Sequence, residues 1–216
     1  VVGILSFLLA GCSTTGSSAK ETDPEVQEIS VSLPAELTTL DTTQTTDKVT
    51  FTVIQHLFEG SYRFDEKSQP VPGLAEEAVI SEDGKTYTFK LKEEAKWSDG
   101  QQVQAADFAY AWKKLVDPKT MGPNAYLLDN VVNSQDIREG KADIATIGLE
   151  TPDEKTFVVH LEQLQPSFLS VVSIGWLAPQ RQSYVEEKGT AYGKTSEDLL
   201  YTGPFILKDW QQTGAE

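Results

Sequence analysis

Residues 81–118 read SEDGKTYTFKLKEEAKWSDGQQVQAADFAYAWKKLVDP, and this stretch decides the fold class. A turn over residues 82–85 precedes residues 86–91, where polar and apolar side chains alternate as in a half-buried strand. Residues 105–116 then carry apolar side chains at helical spacing. Asp117-Pro118 ends that helix, because the residue before a proline avoids the α conformation. A strand and a helix in such close succession predict a mixed α and β chain.

The same two periodicities recur outward from this stretch. Alternation predicts further strands at residues 28–33, 61–64, 77–81, 156–161 and 205–207, and apolar spacing predicts further helices at 47–58, 166–172 and 184–188. Asp47 or Thr46 is the expected N-cap of the first helix. The last strand enters a turn without a following partner, so we expect a C-terminal portion beyond this sequence.

The N-terminus carries a short apolar run that closes on Leu9-Ala10-Gly11-Cys12. A bilayer span needs about 20 residues, so this run predicts the apolar part of an export signal. It resembles the lipobox of bacterial lipoproteins, which implies a signal peptide over residues 1–12 and lipid attachment at Cys12. The alternative is a buried N-terminal helix with a core cysteine. No Lys or Arg precedes Cys12, so we expect the sequence to begin inside the signal peptide.

Residues 13–26 are small and polar and have no period, which predicts a flexible tether between a lipid site and a folded domain. Two acyl chains would suit stable anchoring, since one chain alone is marginal.

The overall composition narrows the class of function. The chain has 33 acidic and 18 basic residues and a formal net charge of −15, which argues against nucleic-acid binding. Cys12 is the single cysteine, so a disulfide framework and a cysteine metal site are excluded.

The sequence lacks the common catalytic motifs. No G-x-S-x-G, H-E-x-x-H or P-loop motif is present, and we expect neither an enzyme nor a metal or other cofactor. His56 and His160 lack a second histidine or cysteine at ligand spacing, so they are expected to be packed or surface residues.

A series of short motifs, each weak alone, recurs in a specific order. They are Leu57-Phe58-Glu59-Gly60, Pro72-Gly73-Leu74-Ala75-Glu76, residues 81–91, Lys96-Trp97-Ser98-Asp99-Gly100, residues 105–118, residues 156–161 and Gly203-Pro204-Phe205. In order and spacing the chain resembles the oligopeptide-binding family of extracytoplasmic solute-binding proteins, family 5, from about Glu28 to its end. Relatives often carry a basic residue and a glycine or alanine where this chain has Glu93-Glu94-Ala95.

The resemblance implies a type II periplasmic-binding-protein fold with two lobes and an inserted subdomain. Residues 27–41 and 167–216 would belong to lobe one, residues 42–166 would form the insert, and a second lobe would follow Glu216. The protein would be a monomer, lipid-anchored on the outer face of a Gram-positive type cell membrane. It would capture oligopeptides and deliver them to the permease of an ABC transporter.

The same resemblance implies where ligand would bind. Glu36, Leu37, Thr38 and Thr39 fall at a loop that faces the cleft in relatives, Tyr126 lies near a region that contributes a cleft aromatic residue, and Trp176 lies where lobe one resumes. The acid that meets a peptide's amino group would come from the second lobe. Each of these residues has a purely structural alternative, as a surface loop or a core aromatic.

Three other functions stay open. The first keeps the fold but binds one specific ligand, such as a pheromone peptide, a nickel complex or haem. The second is a surface adhesion protein, and the third is a secreted enzyme, which the lack of catalytic motifs disfavours.

Overall fold

The computed structural model describes residues 28 to 210. The predicted signal peptide, the predicted tether and Cys12 lie outside these residues. The α-helices are α1 (Lys48–Leu57), α2 (Ala105–Val116), α3 (Ser134–Arg138), α4 (Phe168–Val172) and α5 (Gln182–Lys188). The strands are β1 (Tyr62–Phe64), β2 (Pro70–Pro72), β3 (Val79–Ile80), β4 (Thr86–Lys90), β5 (Leu149–Asp153) and β6 (Thr156–His160). Short 3₁₀ turns lie at Ala125–Leu128, Ile144–Thr146, Gly175–Leu177, Gly189–Ala191 and Ser196–Asp198. The predicted mixed α and β class is confirmed.

The central sheet has four antiparallel strands in the order β3–β4–β6–β5. Strands β4 and β6 pair along their whole length, with Phe89 opposite Phe157. Tyr87 and Phe89 are buried while their strand neighbours are more exposed, which is the alternation that the sequence predicts. Strands β1 and β2 form a separate antiparallel hairpin.

Helix α2 packs against the buried face of this sheet. The rings of Phe108 and Trp112 lie 5.6 and 5.0 Å from that of Phe157, measured between centroids. The indole N–H of Trp112 also donates to the backbone C=O of Leu177 at 3.0 Å. Burying one side chain of phenylalanine's size contributes up to about 3 kcal/mol, so these contacts hold the helix on the sheet.

The N-terminus of α2 is fixed by the buried carboxylate of Asp107. Its Oδ2 atom accepts hydrogen bonds from the Gln104 N–H at 2.9 Å and from the Trp97 indole N–H at 3.0 Å. Burial raises the pKa of Asp107, although both hydrogen bonds favour its charged form. The carboxylate thus ties the turn that contains Trp97 to the start of the helix.

A second hydrophobic cluster surrounds helix α1, and we call it the α1 cluster. Asp47 caps this helix, as predicted, because its Oδ1 atom accepts the Thr50 N–H at 2.8 Å. The buried members of the α1 cluster are Leu37, Leu40, Ile54, Leu57, Phe58, Ala178, Val185, Tyr192, Leu199 and Tyr201.

Two predicted strands are wrong. Residues 28–33 contain no strand in the structure. Residues 205–207 keep an alternating exposure, yet the Phe205 N–H donates to the C=O of His56 near the end of α1, at 3.3 Å. A strand exists only when it pairs, and neither stretch forms a ladder with another described residue.

Two strands are absent from the predictions. Strand β5 reads Leu-Glu-Thr-Pro-Asp, lies at the edge of the sheet and is almost wholly exposed, so it lacks the alternating pattern. Its pairing with β6 is also irregular between Glu150 and Asp153. Strand β2 begins and ends with proline, which cannot donate to a ladder and is usual only at edges.

Residues from Leu33 onward form one compact unit, whereas residues 28–32 belong to another and contain no helix or strand. Helix α1, assigned to the insert by the predicted boundaries, packs in the α1 cluster with Ala178 and Val185. Phe168 and Val172, assigned to lobe one, pack in the cluster around the sheet. The division into lobe and insert stays a prediction.

Candidate functional site

The segment predicted to line the cleft, residues 36–39, lies ahead of helix α1 and contains no helix or strand. Glu36 and Thr38 are exposed and Thr39 is half-buried. Leu37 between them is only 5% exposed and belongs to the α1 cluster. Burial of Leu37 therefore holds the segment on the cluster and leaves Glu36 and Thr38 at the surface.

The backbone of this segment is open. Among residues 28 to 210, no backbone–backbone hydrogen bond involves Glu36, Leu37 or Thr38. The first such bond after them joins the N–H of Leu40 to the C=O of Gly193, at 2.7 Å. Backbone N–H and C=O groups at a surface must bond either water or a ligand, so the segment offers both donors and acceptors.

Gly193 anchors the segment immediately after its open part. The Thr39 hydroxyl donates to the Gly193 C=O at 3.3 Å, and the Asp41 N–H donates to the Thr39 Oγ1 at 3.1 Å. Gly193 has φ +77°, and a Cβ atom at this position would lie 2.5 Å from the Asp41 nitrogen. Only glycine fits this close approach without strain.

A buried polar network, which we call the Asp41 network, follows the segment. The Oδ1 atom of Asp41 accepts from the Thr43 N–H at 3.0 Å, the Thr43 hydroxyl at 2.7 Å and the Gln180 Nε2 at 2.8 Å. Its Oδ2 atom lies 2.8 Å from the Lys114 Nζ, which also donates to the Gln180 Oε1 at 3.0 Å. Gln180 Nε2 further donates to the Thr42 Oγ1 at 2.8 Å. The carboxylate, the ammonium and the amide thus bond one another in a closed triangle.

The ring of Tyr192 lies beside Lys114 in the Asp41 network. The Lys114 Nζ lies 5.1 Å from the ring centroid, within the range of a cation–π contact. Burial, with the nearby Asp41 carboxylate, holds the pKa of Tyr192 well above its usual range, so its hydroxyl stays protonated. Lys114 is therefore the cation that balances Asp41 here.

Trp176 lies in the 3₁₀ turn Gly175–Leu177, half-buried against the α1 cluster. Its ring is 4.7 Å from that of Phe51 on helix α1, in a tilted arrangement. Its indole nitrogen is buried without a hydrogen-bond partner among residues 28 to 210. The structure therefore places Trp176 on the same hydrophobic cluster as Leu37.

Tyr126 lies elsewhere, in the 3₁₀ turn Ala125–Leu128, and is 54% exposed. The buried residues of this turn, Ala125 and Leu128, pack in the cluster around the sheet. The preceding Asn124 donates through its Nδ2 to the C=O of Thr45 at 2.6 Å. Tyr126 is thus connected to the chain ahead of α1 but does not share the α1 cluster.

Sequence reasoning did not identify Asp41, Lys114, Gln180 or Tyr192. Asp41 follows the predicted cleft segment directly, and this adjacency is its sole signal. Lys114 follows Lys113 on an amphipathic helix, where a lysine pair usually indicates a solvated face.

The two histidines have local structural partners. The Nδ1 of His56 lies 2.7 Å from the Thr52 C=O, and His160 contacts the Thr86 hydroxyl at 3.2 Å and Glu150 at 3.0 Å. In the described part of the chain, no group of three or more His, Cys, Asp or Glu residues is placed to hold a metal ion. Nor does any helix between residues 28 and 210 have the length and apolarity to cross a membrane.

Comparison with known proteins shows which family the chain is similar to. The family model "Bacterial extracellular solute-binding proteins, family 5 Middle" matches residues 69–215. The dipeptide-binding protein of Lactococcus lactis subsp. cremoris is 36% identical over 208 residues, covering 96% of this chain and 36% of that protein. The chain therefore spans little more than a third of this relative.

Solved structures agree with the sequence comparison. The substrate-binding domain of the oligopeptide ABC transporter of Bacillus anthracis superposes with a TM-score of 0.80 at 40% identity, covering 82% of this chain and 34% of that chain. Peptide-bound OppA of Listeria monocytogenes gives 0.79 at 37% identity, covering 82% and 35%.

Proposed function

Since this chain belongs to family 5 of the bacterial extracellular solute-binding proteins, we propose that its full-length protein captures oligopeptides outside the cell and delivers them to an ABC transporter permease. The solved relatives in this family include an oligopeptide transporter domain and a peptide complex. Because the chain spans about a third of these proteins, the ligand, the permease and the second lobe of the cleft all belong to the proposal.

One observation supports Glu36, Leu37 and Thr38 as residues that bind the peptide. Their backbone makes no hydrogen bond to other backbone groups within residues 28 to 210. Every peptide presents N–H and C=O groups along its own backbone, so pairing with main chain recognises peptides regardless of their sequence. Glu36 and Thr38 are exposed and bring these groups to the surface, whereas Leu37 supports them from the core.

The remaining predicted residues would have different parts in this cleft. The Thr39 hydroxyl bonds the Gly193 C=O, so it would hold the segment and leave peptide contact to its neighbours. The exposed Tyr126 and the half-buried Trp176 would pack against peptide side chains. Water in roomy side-chain pockets would complete hydrogen bonds to varied residues.

Binding of a mixture of short peptides, measured by calorimetry on the full-length protein, tests the proposal. The sharper test is Thr38→Pro, which removes one backbone N–H, compared with Thr38→Ala, which keeps it. A backbone hydrogen bond contributes about 1 kcal/mol, so we expect Kd to rise roughly fivefold in the proline variant and to stay near wild type in the alanine variant.

Two results would contradict this account. A folded full-length protein that binds no peptide refutes the function. If Thr38→Pro and Thr38→Ala bind peptide with equal affinity, and Glu36→Pro and Glu36→Ala also do, then backbone pairing at this segment is refuted. A single peptide bound far more tightly than the mixture would favour the narrower pheromone-type alternative.

The proposal also includes lipid anchoring at Cys12 on the outer face of the membrane. Its support is the apolar run that ends in Leu9-Ala10-Gly11-Cys12. Replacing Cys12 by Ser should release the protein into the medium and abolish labelling by a radioactive fatty acid. Persistent labelling of the variant would refute the assignment.

A further inference from the structure

We infer that Lys114 is a positioning residue for ligand binding, because its ammonium holds Asp41 and thereby sets the place of residues 36–39. This inference rests on the proposed function, since it assigns a cause to the geometry of the binding segment. Lys114 itself is not a ligand contact, because its side chain is only 17% exposed and its donors are directed at Asp41 and Gln180.

The binding segment has little else to determine its position. Residues 36–41 contain no helix or strand, so no ladder or helical turn fixes their backbone. Their anchors are the buried side chains of Leu37 and Leu40, the bonds to Gly193 and the Asp41 network. An apolar side chain resists removal from the core but permits sliding and rotation, whereas directional hydrogen bonds specify one arrangement.

The Asp41 network joins three stretches that are distant in sequence. Lys114 is 73 residues from Asp41 and 66 residues from Gln180. It lies in the last turn of helix α2, a twelve-residue helix whose Trp112 is bonded to Leu177. Lys114 thus connects an irregular segment to a helix that packs on the central sheet.

The ion pair between Lys114 and Asp41 fixes the local geometry more than it adds stability. Two mostly buried charges gain little net stability over apolar side chains, because their desolvation opposes their attraction. What they do provide is a unique geometry: the Asp41 carboxylate has two donors on Oδ1 besides Gln180 and one cation on Oδ2. A neutral side chain of equal length at position 114 would fill the space and leave Oδ2 without its partner.

The test compares Lys114→Met with Lys113→Met in the full-length protein. Lys113 is the adjacent lysine on the same helix, and its side chain makes no ion pair within residues 28 to 210. Hydrogen–deuterium exchange first reports the segment directly, independent of any ligand. We expect at least tenfold faster exchange of the Leu40 amide in Lys114→Met and unchanged exchange in Lys113→Met.

Peptide calorimetry then reports the consequence for binding. We expect Kd to rise at least tenfold for Lys114→Met and less than twofold for Lys113→Met. Sucrose, which favours the compact state, separates the two possible causes. A defect in global stability would be recovered in sucrose, whereas a misplaced segment in a folded protein would stay weak.

The outcomes are distinct for each claim. Unchanged exchange of the Leu40 amide in Lys114→Met overturns the inference, as does an affinity loss that sucrose fully recovers. A wild-type protein that binds no peptide refutes the proposed function, while faster exchange in Lys114→Met would still support Lys114 as the residue that positions this segment.

Discussion

Replacing Asp107 by Ala should destabilise the fold by an amount that its hydrogen bonds define. Asp107 as a residue is 7% exposed, and its carboxylate accepts hydrogen bonds from the Trp97 indole N–H at 3.0 Å and the Gln104 N–H at 2.9 Å. The variant leaves both donors without a partner. Trp97 is 3% exposed, so water does not replace the lost acceptor for the indole.

The magnitude follows from the two donors. An unsatisfied buried donor costs about 1–3 kcal/mol, which applies in full to the indole. Gln104 is the N-cap residue of α2 and is only half-buried, and losing the capping bond to its N–H costs about 1 kcal/mol. Together we expect a loss of about 2–4 kcal/mol in the free energy of unfolding.

Asp107→Asn isolates the charge from the hydrogen bonds. The asparagine oxygen accepts both bonds but does not titrate. Burial raises the pKa of Asp107 above 3.8, its ordinary value, so the folded state binds the proton more tightly than the unfolded state. The stability that protonated Asp107 contributes is present below the unfolded pKa and is lost as pH rises through the folded pKa. The asparagine variant should therefore gain stability relative to wild type as pH rises from about 3.5 to about 7.

Equilibrium urea denaturation of the full-length protein, followed by tryptophan fluorescence at both pH values, measures these differences. Asp136→Ala is the matched control, because Asp136 also lies in the first turn of a helix but is exposed and accepts no hydrogen bond with its side chain in the described structure. A loss below about 0.5 kcal/mol in Asp107→Ala, equal to that of a surface control, would refute the reasoning. A relative stability of the asparagine variant that falls with pH would show that the hydrogen bonds outweigh burial.

Two further predictions concern the residues that anchor helix α1 and the segment 36–39, which is proposed to bind ligand. Gly193→Ala should lower the melting temperature more than Gly100→Ala. Both positions have positive φ, but only at Gly193 would the added Cβ meet backbone, 2.5 Å from the Asp41 nitrogen. Equal shifts in melting temperature would refute the steric argument. Asp47→Ala should lower the free energy of unfolding by about 1 kcal/mol, because it removes the N-cap of α1. Replacing the exposed neighbour, Thr46→Ala, should have a negligible effect. Equal midpoints of the two variants in urea denaturation would contradict the capping role.

Local periodicity in the sequence was sufficient to predict helix α2 and strand β4 near the centre of the chain. Helix α2 and strand β4 lie where the sequence predicts them, since each presents one face to a core and its pattern records that face. Edge strand β5 was missed because exposure on both faces leaves no pattern. Residues 205–207 carry the pattern but make no ladder, because alternation reports which side chains are buried and is silent on the strand partner.

The sequence by itself determined the family, the acidic character and the order of the helices and strands that pack around Phe157. These properties depend on residue types and short spacings, which are visible along the chain. The tertiary structure alone decided that Lys114 meets Asp41 across 73 residues, and that the backbone of residues 36–38 is left open beside a closed polar network. Such contacts depend on where distant segments end after packing, and a lysine on a helix looks the same in sequence whether it faces water or a buried carboxylate.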